Sequence, residues 1–252
     1  MGKTLALSLE KLVEEPYASV MSYPEHNKKE VSKRLRELQR LGVTALRFSG
    51  RKQVLNVPVL GKGCVGVVTI AYRKSEKVAL KIRRIDADRA TMQHEARMLE
   101  RANLVQVGPR LLGVSKNFLL MQFVDGILLP DWLETRIAGT NVRKVLREIL
   151  EQCWRLDKAG LDHGELSHAP KHLIIDQESS PVIVDFETAS TDRRVSNVTS
   201  VCQFLFVGSE IAGRVAVSLD KISKEAIIEV LRHYKAVRSR EAFDGVLDAC
   251  GL

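Results

Sequence analysis

Gly61-Lys62-Gly63-Cys64-Val65-Gly66-Val67-Val68-Thr69-Ile70-Ala71-Tyr72 decides how the rest of the chain is read. Glycine carries no Cβ, so backbone rich in it can approach a ligand closely, and its N–H groups can converge on anionic oxygens. A similar spacing opens dinucleotide-binding units, but there a helix follows the loop directly. Here the run Val67–Tyr72 continues as a strand. The predicted context is therefore strand, glycine loop, strand.

Two further segments follow. Val78-Ala79-Leu80-Lys81 lies in a predicted strand Lys77–Arg83, joined to the previous one by the polar turn Lys74-Ser75-Glu76. Alternation puts Val78, Leu80 and Ile82 on one face and Ala79, Lys81 and Arg83 on the other. An ammonium among apolar neighbours is costly unless paired. Glu95 is the expected partner, on a helix predicted from about Ala87 to Arg101, where Met92 and Leu99 make its face point inward. Taken singly, a snorkelling lysine and a solvated glutamate would be the ordinary readings. The glycine loop changes that. Far downstream, Val182-Ile183-Val184 is a strand that delivers the carboxylate of Asp185, followed by Phe186-Glu187. A strand-end aspartate can hold Mg²⁺ through hard oxygen ligands. In this order, the three segments describe a pocket for a nucleoside triphosphate and its metal ion.

Composition agrees with a folded, anion-binding protein. The 252 residues are 45% apolar and carry a formal charge of +8, which suits nucleotide, RNA or ribonucleoprotein and an equally ordinary solvated surface. The four cysteines are far apart in sequence with no C-x-x-C pair, which argues against zinc or a disulfide framework and for a reducing compartment. No run approaches the roughly 20 apolar residues of a membrane span. Neither end reads as a signal sequence, so a cytoplasmic protein without membrane contact is expected and the sequon Asn197-Val198-Thr199 carries no weight.

Organisation follows from periodicity. Residues Lys28 to Leu41 form an amphipathic helix ending at Gly42, with Lys29, Lys33, Arg34, Arg36 and Arg40 on its solvated faces. It reads as a helix packed on the next sheet, or as a vestige of a helix-turn-helix module on nucleic acid. Further strands are predicted at Ala45–Phe48, Gln53–Leu60 and Phe118–Val124, the last entering a hinge at Gly126. There the backbone at Met121, Gln122 and Val124 can meet an adenine ring. Val142, Val145, Leu146, Ile149, Cys153 and Leu156 form a helical stripe closed by Gly160. Strands Leu173–Ile175 and Val182–Val184 and closing helices near Val198–Ile211 and Lys224–Arg238 complete the chain. The expected fold is α+β and bilobal: an N-terminal helical extension over 1–52, an antiparallel-sheet lobe over 53–125 and a short, mainly helical lobe over 126–252.

Between the lysine and the aspartate lies His163-Gly164-Glu165-Leu166-Ser167-His168-Ala169-Pro170-Lys171-His172. With this segment the chain resembles the protein-kinase-like superfamily, and within it the minimal RIO and KEOPS-complex kinases and related archaeal serine/threonine kinases. The resemblance spans roughly Val59 to Ala189. It implies an ATP- and Mg²⁺-dependent phosphotransferase acting on a protein substrate, with Gly61, Gly63 and Gly66 over the phosphates, Lys81 held by Glu95, and Asp185 on the metal. Glu165 stands where that family carries its catalytic aspartate. Pro170 stands where the metal-binding asparagine is expected, and an insertion in the loop puts His172 in the asparagine's place as a metal ligand. Lys171 can neutralise developing phosphate charge. The departures leave an ATPase or pseudokinase in ribosome or tRNA maturation as the alternative, with a ribonucleoprotein or RNA partner, and a small-molecule kinase as a third reading. A zinc cluster of His163, His168 and His172 is the weakest reading.

Overall fold

The computed structural model describes residues 5–135, 139–219 and 223–252, so the first four residues of the expected extension lie outside the described residues. The chain forms two compact units. One holds the residues up to Glu100 together with Pro109–Phe123; the other holds Arg101–Gly108 and the chain from Val124 onward.

The first unit is built on an antiparallel sheet. Its strands Leu7–Ser8, Val43–Arg47, Gly66–Arg73, Glu76–Arg83, Phe118–Gln122 and Leu111–Val114 lie side by side in that order, and Gly61–Lys62 adds to Gly66–Arg73. The central hairpin turns on Lys74-Ser75, both at positive φ (47° and 69°), a geometry that matches the twist of the flanking strands. Val78, Leu80 and Ile82 face the core with Leu38, Leu46, Phe48 and Phe118. The single strand expected over Gln53–Leu60 is instead a hairpin, Lys52–Val54 with Val57–Val59, because Leu55 and Asn56 take φ 49° and 63°. Strand Leu111–Val114 was not expected. The helix expected from Ala87 runs Gln93–Leu104. Residues before it are held open by the Arg84–Asp86 ion pair and by Arg83 donating to the Arg89 carbonyl, and the apolar period starts only at Met92.

Helix Lys28–Arg40 is capped by the Asn27 side chain and closed by Gly42 at φ 74°. It packs on the sheet through Val31 and Leu38 and leaves Lys29, Lys33, Arg36 and Arg40 exposed. Arg34 does not join that solvated set; it is fully buried. Its guanidinium donates to the carbonyls of Met21 (2.7 Å) and Arg83 (2.6 Å) and to Asn117 Oδ1 (3.3 Å), and pairs with Glu30 (3.0 Å). Glu37, one turn on, accepts from the Ser115 hydroxyl (2.6 Å) and from both the backbone (3.0 Å) and side-chain (2.6 Å) nitrogens of Asn117. A guanidinium can serve these four acceptors at once, where the three donors of a lysine could not.

The second unit is mainly helical. In helix Gly139–Lys158 the expected stripe from Val142 to Leu156 is buried, and Gly160 at φ 67° ends the turn after it. A small antiparallel sheet joins Gly126–Leu128, Leu173–Asp176 and Pro181–Ile183. Gly126 must be glycine there, since a Cβ would stand 2.3 Å from the Ile175 carbonyl oxygen. The helix expected over Val198–Ile211 breaks: Asn197–Cys202 runs into a π-helical turn, Gln203–Val207, and Ser209 caps a new helix, Glu210–Ser218. Lys224–Val237 matches expectation, and a last helix, Arg240–Ala249, capped by Ser239, was not expected. Among the described residues no single helix is long and apolar enough to cross a membrane.

Replacing Arg34 by leucine removes the donor to two buried carbonyls, those of Met21 and Arg83, which should cost on the order of 3 kcal/mol in urea unfolding. A loss below about 0.5 kcal/mol, the range of ordinary surface changes, would show that the network is not a stabilising element.

Candidate active site

In the first unit the glycine loop and the lysine are made by one piece of sheet. Gly61 and Lys62 pair with Val68 and Val67, and the Gly63 amide donates to the Gly66 carbonyl at 2.9 Å, leaving Cys64 and Val65 at the tip of a tight turn. Arg84 ties this turn down: its amide donates to Val65 and its Nη1 to the Gly63 carbonyl at 3.1 Å. Gly66 lies against the lysine stem, where a Cβ would meet Lys81 Cγ at 2.9 Å and the Ile82 carbonyl oxygen at 3.0 Å. Lys81, 3% exposed, forms a 2.9 Å ion pair with Glu95, also 3% exposed. The Met92 amide bonded to the Lys116 carbonyl (3.0 Å) fixes the start of the helix that carries Glu95. Such a pair repays its desolvation only with good geometry, and its value is to hold an ammonium in one place.

Met121 ends strand Phe118–Gln122 and pairs with Ala79. The Gln122 amide donates to the Arg110 carbonyl at 2.9 Å, so that N–H is committed to the sheet. Val124 begins the second unit.

The segment from His163 to His172 lies wholly in the second unit. His163 opens it, fully buried, with its Nε2 3.1 Å from the Val184 carbonyl; a carbonyl only accepts, so Nε2 carries the proton. Burial, with His172 beside it, pulls this imidazole down to about 4, and it is neutral at pH 7. Gly164 sits at φ 91°, where a Cβ would come within 2.5 Å of the Arg193 guanidinium. Glu165 then turns into a short 3₁₀ helix, Leu166–His168. The loop brings His172 back beneath it. Its Nε2 lies 2.8 Å from Glu165 Oε2 and its Nδ1 3.9 Å from Asp185 Oδ2, so one buried ring separates two carboxylates. Lys171 Nζ reaches the same Glu165 oxygen at 3.5 Å. Pro170 is exposed and contributes no ligand. His168 is also exposed, bonded to Ser167, so the three histidines do not gather as a zinc site.

Asp185 takes φ 71°, a conformation that costs an aspartate free energy and that persists where surrounding structure dictates it. A carboxylate oxygen of Asp185 and one of Glu187 lie within 4.8 Å of each other. Two hard oxygen donors so placed, with the buried His172 Nδ1 near one of them, fit a small divalent cation.

Sequence reasoning missed what holds the segment. Asn197, read only as part of a sequon, is 1% exposed. Its Oδ1 accepts from the His163 amide (2.8 Å), and its Nδ2 donates to Asp157 Oδ1 (2.8 Å) and the Leu161 carbonyl (2.7 Å). Asp157 also accepts from the Tyr234 hydroxyl at 2.9 Å. Burial pushes the Asp157 carboxyl above its usual range while these donors oppose the shift. The residues stand 40 and 77 positions apart, beyond any local motif.

Two measurements check this geometry. Lys81→Met and Glu95→Gln should each cost about 3–5 kcal/mol by urea unfolding, with the double variant costing less than their sum by about 1–3 kcal/mol. Additive losses would mean the two groups do not act on each other. The second concerns His163. A base whose native pKa is depressed leaves the unfolded chain holding more protons below its ordinary pKa, so its contribution is complete above about pH 6.5 and fades as pH falls toward about 4. Between pH 7 and pH 5, unfolding free energy should fall by about 2 kcal/mol from this ring, and His163→Phe should remove that part of the slope. An unchanged slope in the variant would contradict the assignment.

The RIO domain family model matches residues 69–196, just over half of the chain, a stretch that holds Lys81, Glu95, Glu165, His172, Asp185 and Glu187. No curated protein matches the chain. With a match over more than half of its length, and a sheet unit that presents a buried lysine–glutamate pair, the chain belongs to the RIO domain family, an atypical protein-kinase-like family.

Proposed function

We propose that this chain is an ATP-dependent phosphotransferase, a minimal atypical serine/threonine kinase with Glu165 in place of the catalytic aspartate. The observation that carries the reading is the buried Lys81–Glu95 pair at 2.9 Å. An ammonium kept so far from water is of use to an anion that comes to it, and in kinase-like proteins that anion is the α- and β-phosphate of the nucleotide. Gly61, Gly63 and Gly66 let the loop lie over the phosphates with no side chain between, the Gly63 amide itself being committed to the Gly66 carbonyl. Because the Gln122 amide is bonded to Arg110, Val124 offers the backbone that meets the adenine edge, with Met121 beneath the ring.

When bound, MgATP supplies the γ-phosphoryl group and the positive charge that its transfer needs. Asp185 holds the metal, and His172, with Nδ1 toward Asp185, takes the asparagine's place. Glu165 orients the serine hydroxyl and accepts its proton, reaching one methylene further than aspartate. Lys171, beside Glu165 and largely exposed, offsets charge that develops on the phosphoryl oxygens.

A second reading has its own support. Glu165 is already engaged by His172 and Lys171, and Pro170 cannot ligate. A site so arranged can bind and slowly hydrolyse ATP as an ATPase or pseudokinase within ribosome or tRNA maturation, where a net charge of +8 suits a ribonucleoprotein partner in the cytoplasm.

Incubation with γ-labelled ATP and Mg²⁺ separates them. The kinase reading expects label on serine, in the protein itself or in a substrate, and a fall of roughly 10²–10⁴-fold for Glu165→Gln. Phosphate release without a phosphoprotein favours the ATPase. Turnover that is unchanged in Lys81→Met contradicts both.

A further inference from the structure

We infer that Glu187 is a second metal-holding carboxylate, which together with Asp185 chelates one divalent cation beside His172. The inference rests on the nucleotide-and-metal reading of this site and adds to it a residue with no counterpart among the ligands assigned above.

The first support is proximity. Oxygens of Asp185 and Glu187 lie within 4.8 Å of each other, close enough to reach one ion bound through oxygens at about 2.0–2.6 Å. The second is enclosure. Glu187 is only 8% exposed, so its carboxylate is held inside the site beside that of Asp185 rather than solvated at the surface. The third is rigidity. Phe186, between the two, is 1% exposed with its ring edge-on to His163 at 5.0 Å, and the Ala189 amide donates back to the Phe186 carbonyl at 3.2 Å. The Thr188 hydroxyl is bonded to the His163 carbonyl (3.0 Å), and Ser190 and Asp162 exchange two backbone hydrogen bonds (2.8 and 2.9 Å). An acidic turn at the surface would not be fixed from both sides in this way.

An independent observation comes from His172. Its ring is fully buried, its Nδ1 has no hydrogen-bond partner, and that nitrogen faces Asp185 Oδ2 across 3.9 Å. The gap is too long for a hydrogen bond and suited to a third component that both atoms touch, either the cation or a water in its shell. Carboxylate, carboxylate and imidazole make a donor set that accepts Mn²⁺ as readily as Mg²⁺.

The test follows free Mn²⁺ by its paramagnetic resonance during titration of the full chain, with and without saturating ADP, for the unaltered protein, Asp185→Asn and Glu187→Gln. Urea unfolding in EDTA runs alongside. Outer-shell partners alone are worth roughly 10–100-fold in metal affinity, so a direct ligand should weaken Mn²⁺ binding by about tenfold or more in each variant, with stability in EDTA kept. Equal Mn²⁺ affinity in the unaltered protein and Glu187→Gln overturns the inference. So does an effect of Glu187→Gln seen only as lost stability in EDTA, or the absence of Mn²⁺ binding under both conditions. Should Glu187→Gln not fold, Glu187→Asp decides by the same titration: weaker Mn²⁺ binding supports the chelate, and an unchanged curve overturns it. Failure to bind ADP with Glu187-dependent Mn²⁺ binding intact removes the nucleotide reading and leaves the metal site standing.

Discussion

An ammonium and a carboxylate, each 3% exposed and 2.9 Å apart, constrain the first unit more than any other contact in it. Burying both charges is unfavourable unless their geometry is tight, so the strand and the helix that carry them must be fixed with respect to each other. The sheet does this on one side, where Gly66 must lack a side chain to admit the Lys81 stem. The Met92–Lys116 hydrogen bond and the Arg34–Asn117–Glu37 network do it on the other, tying helix, strand end and hairpin together. The N-terminal helix is thus part of the same mechanical unit as the lysine, because Arg34 bonds to the carbonyl of Arg83, two residues beyond Lys81.

The second unit solves a different problem, that of holding an irregular loop still. His163, Glu165 and His172 belong to a segment with little regular structure, yet its ends are bonded inward. Asn197 accepts from the His163 amide, the Val184 amide donates to the His172 carbonyl at 2.9 Å, and the His172 ring lies between Glu165 and Asp185. The neutral His163 ring, kept uncharged by burial, fills the space behind them. The nearby carboxylates of Asp185 and Glu165 favour a charged ring there, but burial and the neighbouring His172 outweigh them.

Much of this was legible in the sequence wherever period and burial agree. Alternation in Val78–Arg83 placed Lys81 among apolar neighbours, and the helical spacing of Met92, Glu95 and Leu99 placed its partner; the stripe from Val142 to Leu156 gave the long helix. What escaped reading has physical reasons. Arg34 falls on a basic helix, and a charged residue reads as solvated unless its distant acceptors are known. The Leu55-Asn56 turn hides inside an apolar run, because only Asn56 signals a left-handed backbone. Asp157 and Asn197 are joined by burial across 40 residues, so neither looks unusual in its own neighbourhood. The contact of His172 with Glu165 depends on how the loop between them folds back, which spacing alone does not determine. Glu187 has no signal of its own in the sequence, since only the fold shows its oxygen beside that of Asp185.

The central claim is that Lys81 stands where a nucleotide's phosphates arrive, and a reactive nucleotide tests it most directly. An acyl-phosphate derivative of ATP transfers its acyl group to the amine nearest the phosphates, and peptide mass spectrometry then locates the modified lysine. The account requires acylation of Lys81, despite its burial, and its suppression by excess ATP. Labelling confined to exposed lysines such as Lys29 and Lys33, and indifferent to added ATP, would contradict it.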